Sequence, residues 1–257
     1  MSFKDRILKK ELIVGSWIQL GYPQTTEIIA RAGFGFVVVD MEHTSISSSE
    51  LLSTIQISSL AGIPVLVRVG TNDPLLIKRA MDAGADGIIV PMVETRDQAE
   101  RARDAIYYPP KGLRGVGLAR AQDFGLGFDA YRDRMAKETI LIVQIEHRRA
   151  VDQLEAILDV DGVDGFLVGP YDMSGSFGKP GNFSDPEVAA ALTRVADVVK
   201  AHPKPSGIHV VMPDPKQLAQ RIKEGYRFIA YSTDMVFFAE AVRRSVAEAP
   251  GLGVTIA

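Results

Sequence analysis

The 257-residue chain is 46% hydrophobic and 24% charged, with 29 Lys+Arg against 32 Asp+Glu and a formal net charge of -3. This is the profile of a soluble globular protein, with no basic excess to condense on nucleic acid or an anionic membrane surface. Zero cysteines exclude disulfides, thiolate zinc sites and cysteine nucleophiles, and leave any metal to oxygen or imidazole ligands.

The opening MSFKDRILKKEL is charged where a secretory signal turns apolar, and no apolar run approaches the ~20 residues of a membrane span; the expected location is the cytoplasm. ELIVGSWIQ (11–19) then reads as a first strand. ARAGFGFVVVD (30–40) is the first of four segments that look like a helix end, a glycine turn and a strand; the others are MDAGADGIIVP (81–91), LDVDGVDGFLVG (158–169) and KEGYRFIAYS (223–232). Strand-like runs without the full motif occur at IPVLVRV (63–69), ETILIVQIE (138–146) and PSGIHVVM (205–212). Helix starts between them carry recognisable caps: Ser47 with Glu50, Thr95 with Gln98, Ser184 with Glu187, and the pairs Asp73-Pro74 and Asp214-Pro215. Residues 106–137 read as a long irregular stretch.

The strand runs are continuously apolar instead of alternating, so both faces should be buried, as in a parallel sheet covered by helices. Eight such units in one undivided chain point to a single-domain (β/α)8 barrel. A doubly wound open sheet is the alternative, but no GxGxxG follows a strand.

In such a barrel the chemistry sits at the carboxyl ends of the strands. There the sequence offers Trp17 and Gln19; Asp40, Glu42 and His43; Arg68; Pro91; Gln144 and Glu146; Gly169, Pro170 and Asp172; Met212; and Ser232. Glu146 and Asp172 follow consecutive strands, so their carboxylates can meet at the mouth. Two like charges there call for a shared proton or a hard divalent cation. Arg68 supplies a fork of donors for a carboxylate or enolate oxygen, and His43, three residues past Asp40, has the chemistry of a general base. Taken singly, each has a structural reading: Glu146 pairing with the next helix, Asp172 as a helix cap, Arg68 in an ion pair, His43 as a polar loop residue. Their coincidence at strand ends favours a site. His202 and His209 read as structural, and His147 as either a site neighbour or a helix start. No strand run ends in lysine, which disfavours a Schiff base and favours metal activation of a carbonyl.

The strings VVVDMEH (37–43), VLVRV (65–69), DPLLIKRAMDAGADGIIVPMVET (73–95), YYPPKGLRGVG (107–117), LIVQIE (141–146) and DGVDGFLVGPYDMSGSFG (161–178) resemble the metal-dependent pyruvate aldolases of the HpcH/HpaI family. That resemblance implies a barrel whose last helix exchanges with a neighbour in a hexamer built from trimers. It implies Glu146 and Asp172 as ligands of Mg²⁺, Mn²⁺ or Co²⁺, Arg68 on the enolate oxygen, and His43 paired with Asp40 as an acid/base dyad. It implies pyruvate contacts from Gln144 and the backbone after Gly169-Pro170, a pocket wall at Trp17, and Asp82 reaching an adjacent subunit's site. The implied reaction cleaves a 4-hydroxy-2-oxo acid to pyruvate and an aldehyde. Two departures bear on the substrate: Tyr171 stands where the family often has a small residue, and His147 follows the ligand glutamate. Competing functions are a citrate-lyase-like acyl-CoA lyase, for which Lys111, Arg114 and Arg120 are the only clustered basic residues, and a catalytically idle oxo-acid binding protein.

Overall fold

A computed structural model describes residues 1–249. Eight parallel strands close in sequence order into a barrel: β1 (Ile13–Ile18), β2 (Val37–Asp40), β3 (Val65–Arg68), β4 (Gly87–Val90), β5 (Ile140–Ile145), β6 (Gly165–Val168), β7 (Ser206–Val210) and β8 (Phe228–Thr233). Seven fall inside the strand-like runs of the sequence and β8 extends its run by one residue, Thr233; the open-sheet alternative is excluded by closure of β8 onto β1.

Each strand side alternates, and the alternation divides the core in two. Ile13, Trp17, Phe36, Val38, Leu66, Ile89, Ile140, Ile142, Leu167, Phe228 and Ala230 fill the barrel interior. The residues between them, such as Val37, Val39, Val65, Val67, Ile88 and Val143, pack beneath the surrounding helices. The interior holds large rings because its neighbours include glycines: a Cβ at Gly15 would lie 2.5 Å from the Phe36 ring, and one at Gly207 would lie 2.4 Å from the Phe228 ring. Phe36 and Phe228 stack with centroids 4.3 Å apart. Truncating either to alanine in so closed a core would cost about 3–5 kcal/mol.

The helices are α1 (Phe3–Leu8), α2 (Pro23–Arg31), α3 (Ser48–Ala61), α4 (Pro74–Ala83), α5 (Arg96–Ile106), α6 (Phe128–Glu138), α7 (Arg148–Asp152), α8 (Leu154–Leu158), α9 (Pro170–Ser176), α10 (Pro186–Ala201), α11 (Pro215–Lys223) and α12 (Asp234–Glu248). Ser47 and Glu50 form a reciprocal capping box at α3, and Asp73 and Asp214 cap α4 and α11 ahead of proline.

Three elements differ from the sequence reading. The cap of α10 is Asp185, which accepts from the amides of Glu187 and Val188, because Pro186 fixes the first helical position; Ser184 instead bonds Asn182. The stretch expected to be irregular contains α6, an i,i+4 apolar pair, Tyr131 and Met135, anchoring an otherwise polar helix. The charged leader is structural: α1 closes the amino end of the barrel, with Ile7 in the interior cluster and Lys4 bonded to the Thr139 carbonyl at 2.7 Å and Asp164 at 2.9 Å.

Helix α12 lies across its own barrel. Asp234 accepts from the amides of Gln19 and Leu20 at 2.8 and 3.2 Å, and Phe237 packs near Phe34 and Tyr231. Its other face leaves Met235, Phe238, Val242 and Val246 exposed.

Candidate active site

Arg68, the last residue of β3, is the hub of the mouth. It is 8% exposed, and its Nε and Nη2 donate to the two oxygens of Asp40 at 3.0 and 2.7 Å. The fork is set by register, because Asp40 and Arg68 are direct neighbours on β2 and β3. Its guanidinium lies 4.3 Å from the centroid of the Trp17 ring, and its Nε is also 3.3 Å from Oε2 of Glu42.

Asp40 is fully buried. Burial pushes its carboxyl up, but the Arg68 hydrogen bond and charge, with Gln19, outweigh it and hold the group below its ordinary value. The remaining acceptor capacity takes the amides of Glu42 and His43 and the Gln19 amide at 3.0 Å. The Asp40–His43 side-chain pairing expected above is therefore not formed: Asp40 holds the backbone of His43, while its oxygens are committed to Arg68. The imidazole is mostly exposed and has Glu42 as its carboxylate neighbour, Nε2 to Oε2 3.6 Å. Glu42 was readable at a strand end, but its importance comes from burial, which no local pattern announces. Burial pushes its carboxyl up to about 7, Arg68 opposing and the charges of Asp40 and Asp172 adding.

Glu146 follows β5 and is 2% exposed. Its Oε1 accepts from the Met92 amide at 2.8 Å, and its Oε2 accepts from the Gln144 side chain. Burial pushes this carboxyl up to about 7 as well; the Met92 amide opposes, and the negative charges of Asp172 and Glu42 add. Gly169 ends β6 beside it. Asp172 sits exposed in the first turn of α9, three residues after the helix cap at Gly169, so it is not the cap itself. Pro170 occupies the first helical position and the exposed Tyr171 meets Phe183 edge to face at 5.1 Å.

Beneath these groups, His209 points inward from β7. Its ring centroid lies 5.5 Å from that of Trp17. Burial, helped by the Arg68 charge, pushes its imidazole down to about 4, so it is neutral at working pH. Among the described residues, buried side-chain atoms without a hydrogen-bond partner include Trp17 Nε1, Glu42 Oε2, Gln144 Oε1, His209 Nε2 and Ser232 Oγ. All five belong to strand ends around one mouth, and unmet polar atoms gathered this way mark where a polar ligand belongs.

Three acidic side chains at one mouth, two of them holding protons to about pH 7, form a donor set that a hard divalent cation would neutralise. Among the described residues, no three His, Asp or Glu side chains converge as a finished metal cage. The donors fit a pair of carboxylates with the remaining positions left to water and a chelating ligand.

A family model described as HpcH/HpaI aldolase/citrate lyase matches residues 14–241. The chain belongs to this family. It is 36% identical over 244 residues to the 5-keto-4-deoxy-D-glucarate aldolase of Escherichia coli, covering 94% of both chains. Among solved structures, it is similar to an HpcH/HpaI aldolase/citrate lyase family protein from Burkholderia cenocepacia, with 34% identity, TM-score 0.89 and coverage of 96% of this chain and 98% of that one. It is also similar to an HpcH/HpaI aldolase from Desulfitobacterium hafniense, with 26% identity, TM-score 0.86 and coverage of 97% and 96%.

Other features of this HpcH/HpaI chain lie away from the mouth. Asp82 is in the last turn of α4, at the opposite end of the barrel from the strand ends, and its carboxylate accepts from the buried Arg114 at 2.5 Å; it does not join this chain's own site. Arg114 is thereby engaged, Arg120 bonds the Ala83 carbonyl, and Lys111 lies over the Tyr107 ring, so the three basic residues considered for a CoA surface are each occupied locally. Lys179 is tied to Asp185 and Glu187. His147 caps α7, and His202 caps the end of α10. Among the described residues, no helix is long and apolar enough to cross a membrane.

Proposed function

We propose that this chain is a divalent-metal-dependent aldolase that reversibly cleaves a 4-hydroxy-2-oxo acid to pyruvate and an aldehyde, with Glu146 and Asp172 holding the cation. The observation that carries this reading is the acidic mouth built around Glu146, buried at 2% exposure and held by the Met92 amide, with Asp172 and Glu42 as acidic neighbours whose charges add to the effect of burial on its carboxyl. Family membership and the similarity to an enzyme named as an aldolase support the same conclusion. When bound, Mg²⁺, Mn²⁺ or Co²⁺ would supply Lewis-acid stabilisation of the negative charge that develops on the 2-oxo oxygen.

The chain's own residues do the rest. Arg68, locked by Asp40 and backed by Trp17, presents fixed positive charge to the enolate oxygen without having to reorganise as that charge develops. Gln144, with its unmet Oε1, and the backbone after Gly169-Pro170 orient the pyruvate portion. His43, exposed above Glu42, is the group placed to take the proton from the 4-hydroxyl during cleavage and to return it during synthesis. Trp17 and His209 close the floor and keep water from the interior. Tyr171 shapes the aldehyde side, and Asp82 serves the site of an adjacent subunit. The protein acts as a cytoplasmic homo-oligomer, a hexamer of two trimers.

A pyruvate-release assay over a panel of 4-hydroxy-2-oxo acids, with Mg²⁺, Mn²⁺ and Co²⁺ compared, tests the proposal. Release is expected from at least one substrate, with loss after chelation and in Glu146→Gln and Asp172→Asn. Full activity in chelator would overturn it.

A further inference from the structure

A cluster just behind the mouth remains without a role. After β4 the chain runs through Pro91, Met92, Val93 and Glu94 before Thr95 caps α5. Met92 adopts a left-handed conformation, φ 53°, unusual for a residue with a Cβ, and this turn aims its amide at Glu146 Oε1, 2.8 Å away. Such a conformation is strained and persists only where the surroundings over-determine it.

Two anchors hold this loop. Val93 is buried in the outer core, 1% exposed. Glu94, 7% exposed, is fastened from both sides: its amide donates to Gln98 Oε1 at 2.6 Å, and its carboxylate takes Nε of Arg149, with His147 Nδ1 3.7 Å away. The same His147 nitrogen accepts the Arg149 amide at 3.2 Å. Arg149 and His147 stand three and one residues after Glu146. The cluster therefore ties the loop that supplies the amide to the segment that carries the carboxylate.

We propose that Glu94, through Arg149, is a positioning residue of the cation site: it holds the Met92 amide on Glu146 and so fixes the direction in which Glu146 presents its remaining acceptor capacity to a cation. The inference rests on the reading of Glu146 as a metal ligand. An ordinary surface ion pair contributes little to stability and nothing to a ligand site, whereas partners that orient ligating groups typically carry about 10–100-fold in metal affinity.

The test is calorimetric titration of the metal-stripped full chain with Mn²⁺ alone, without substrate, alongside its thermal melt. Wild type should bind, and Glu94→Gln and Arg149→Met should each weaken binding about tenfold with little change in the melt. Glu94→Gln/Arg149→Met should be no weaker than either single variant, the signature of one shared interaction. Should Glu94→Gln fail to fold, Arg149→Met, whose side chain is largely exposed, carries the comparison. Wild-type affinity in the variants, or additive losses, overturns the inference while leaving the metal reading intact. Absence of Mn²⁺ binding by wild type overturns both.

Discussion

A Cβ at Gly169 would lie 2.7 Å from Oε2 of Glu146 and 2.8 Å from its Cβ. The backbone of β6 thus passes so close to the acid at the end of β5 that only glycine leaves the carboxylate where it is. Gly169 itself has an ordinary φ of -110°, so Gly169→Ala adds no strain at its own φ, and the clash falls on Glu146, with Gln144 Nε2 next at 3.4 Å. Metal-dependent pyruvate release should fall at least about tenfold, a loss of ~1.4 kcal/mol in transition-state stabilisation. Because the Cβ of Glu146 must shift along with its carboxylate, the melt should fall as well. Steady-state kinetics beside circular dichroism check both halves, and an unaltered rate would mean that Glu146 can move without consequence.

Arg68 to lysine tests geometry at constant charge. Lysine cannot reproduce the two-point fork to Asp40 or lie flat over Trp17, so kcat should drop by about 10²-fold or more, the scale of removing one preorganised donor from a developing oxyanion. A rise confined to KM would indicate that Arg68 only binds the substrate's ground state.

How far these residues could be read without coordinates depends on what each one relies on. The barrel was legible because a glycine turn followed by an unbroken apolar run, as in 81–91 or 158–169, has few other uses. Residue types at strand ends located Asp40, Arg68, Gln144, Glu146 and Asp172 on one face. Pairing was not legible: the spacing from Asp40 to His43 suggests a side-chain dyad, but strand register places Arg68 directly beside Asp40 and its fork wins both oxygens. Glu42 stood among the strand-end residues, but its raised carboxyl was not legible, nor was the depressed imidazole of His209, because both come from burial by distant segments. The Met92 amide could not be found at all, since a backbone donor has no sequence signature. His209 alternates with Gly207 along β7, a period-two signal for an inward side chain that was available and outweighed by the frequency of structural core histidines.

The raised carboxyls make stability depend on pH in a definite direction. Burial pushes the carboxyls of Glu42 and Glu146 up to about 7 in the folded chain, against an ordinary value of 4.5. The folded state therefore binds more protons than the unfolded one across that window, and the stability they contribute is complete below about 4.5 and is lost as pH rises through about 7. His209, pushed down to about 4, works in the opposite sense between about 4 and 6.5, so the clean comparison runs from pH 6.5 to 8. Metal-free protein should melt several degrees lower at pH 8 than at pH 6.5, and Glu146→Gln should flatten that slope. Added Mn²⁺ should raise the melting temperature more at pH 8, where its ligands are deprotonated. Calorimetric scans with and without the ion measure all three.

Asp40 and Glu42 stand two residues apart and should fail differently. Asp40→Asn leaves the buried guanidinium of Arg68 without its charge partner, a change worth about 3–5 kcal/mol for a buried pair, so the melt should fall by several degrees together with activity. Glu42→Gln removes a carboxyl that is costly to ionise where it sits, so the fold should hold or gain. Its effect belongs to His43, whose Nε2 lies 3.6 Å from the Glu42 carboxyl: cleavage should slow while exchange of pyruvate methyl protons is kept. On the proposed assignment of enolate stabilisation to Arg68 and the cation, His43→Asn should abolish cleavage yet spare exchange of pyruvate methyl protons with deuterated water. Proton exchange followed by NMR, set against cleavage rates for the three variants, separates these roles; loss of exchange in His43→Asn would move His43 from the aldehyde half of the reaction to the pyruvate half.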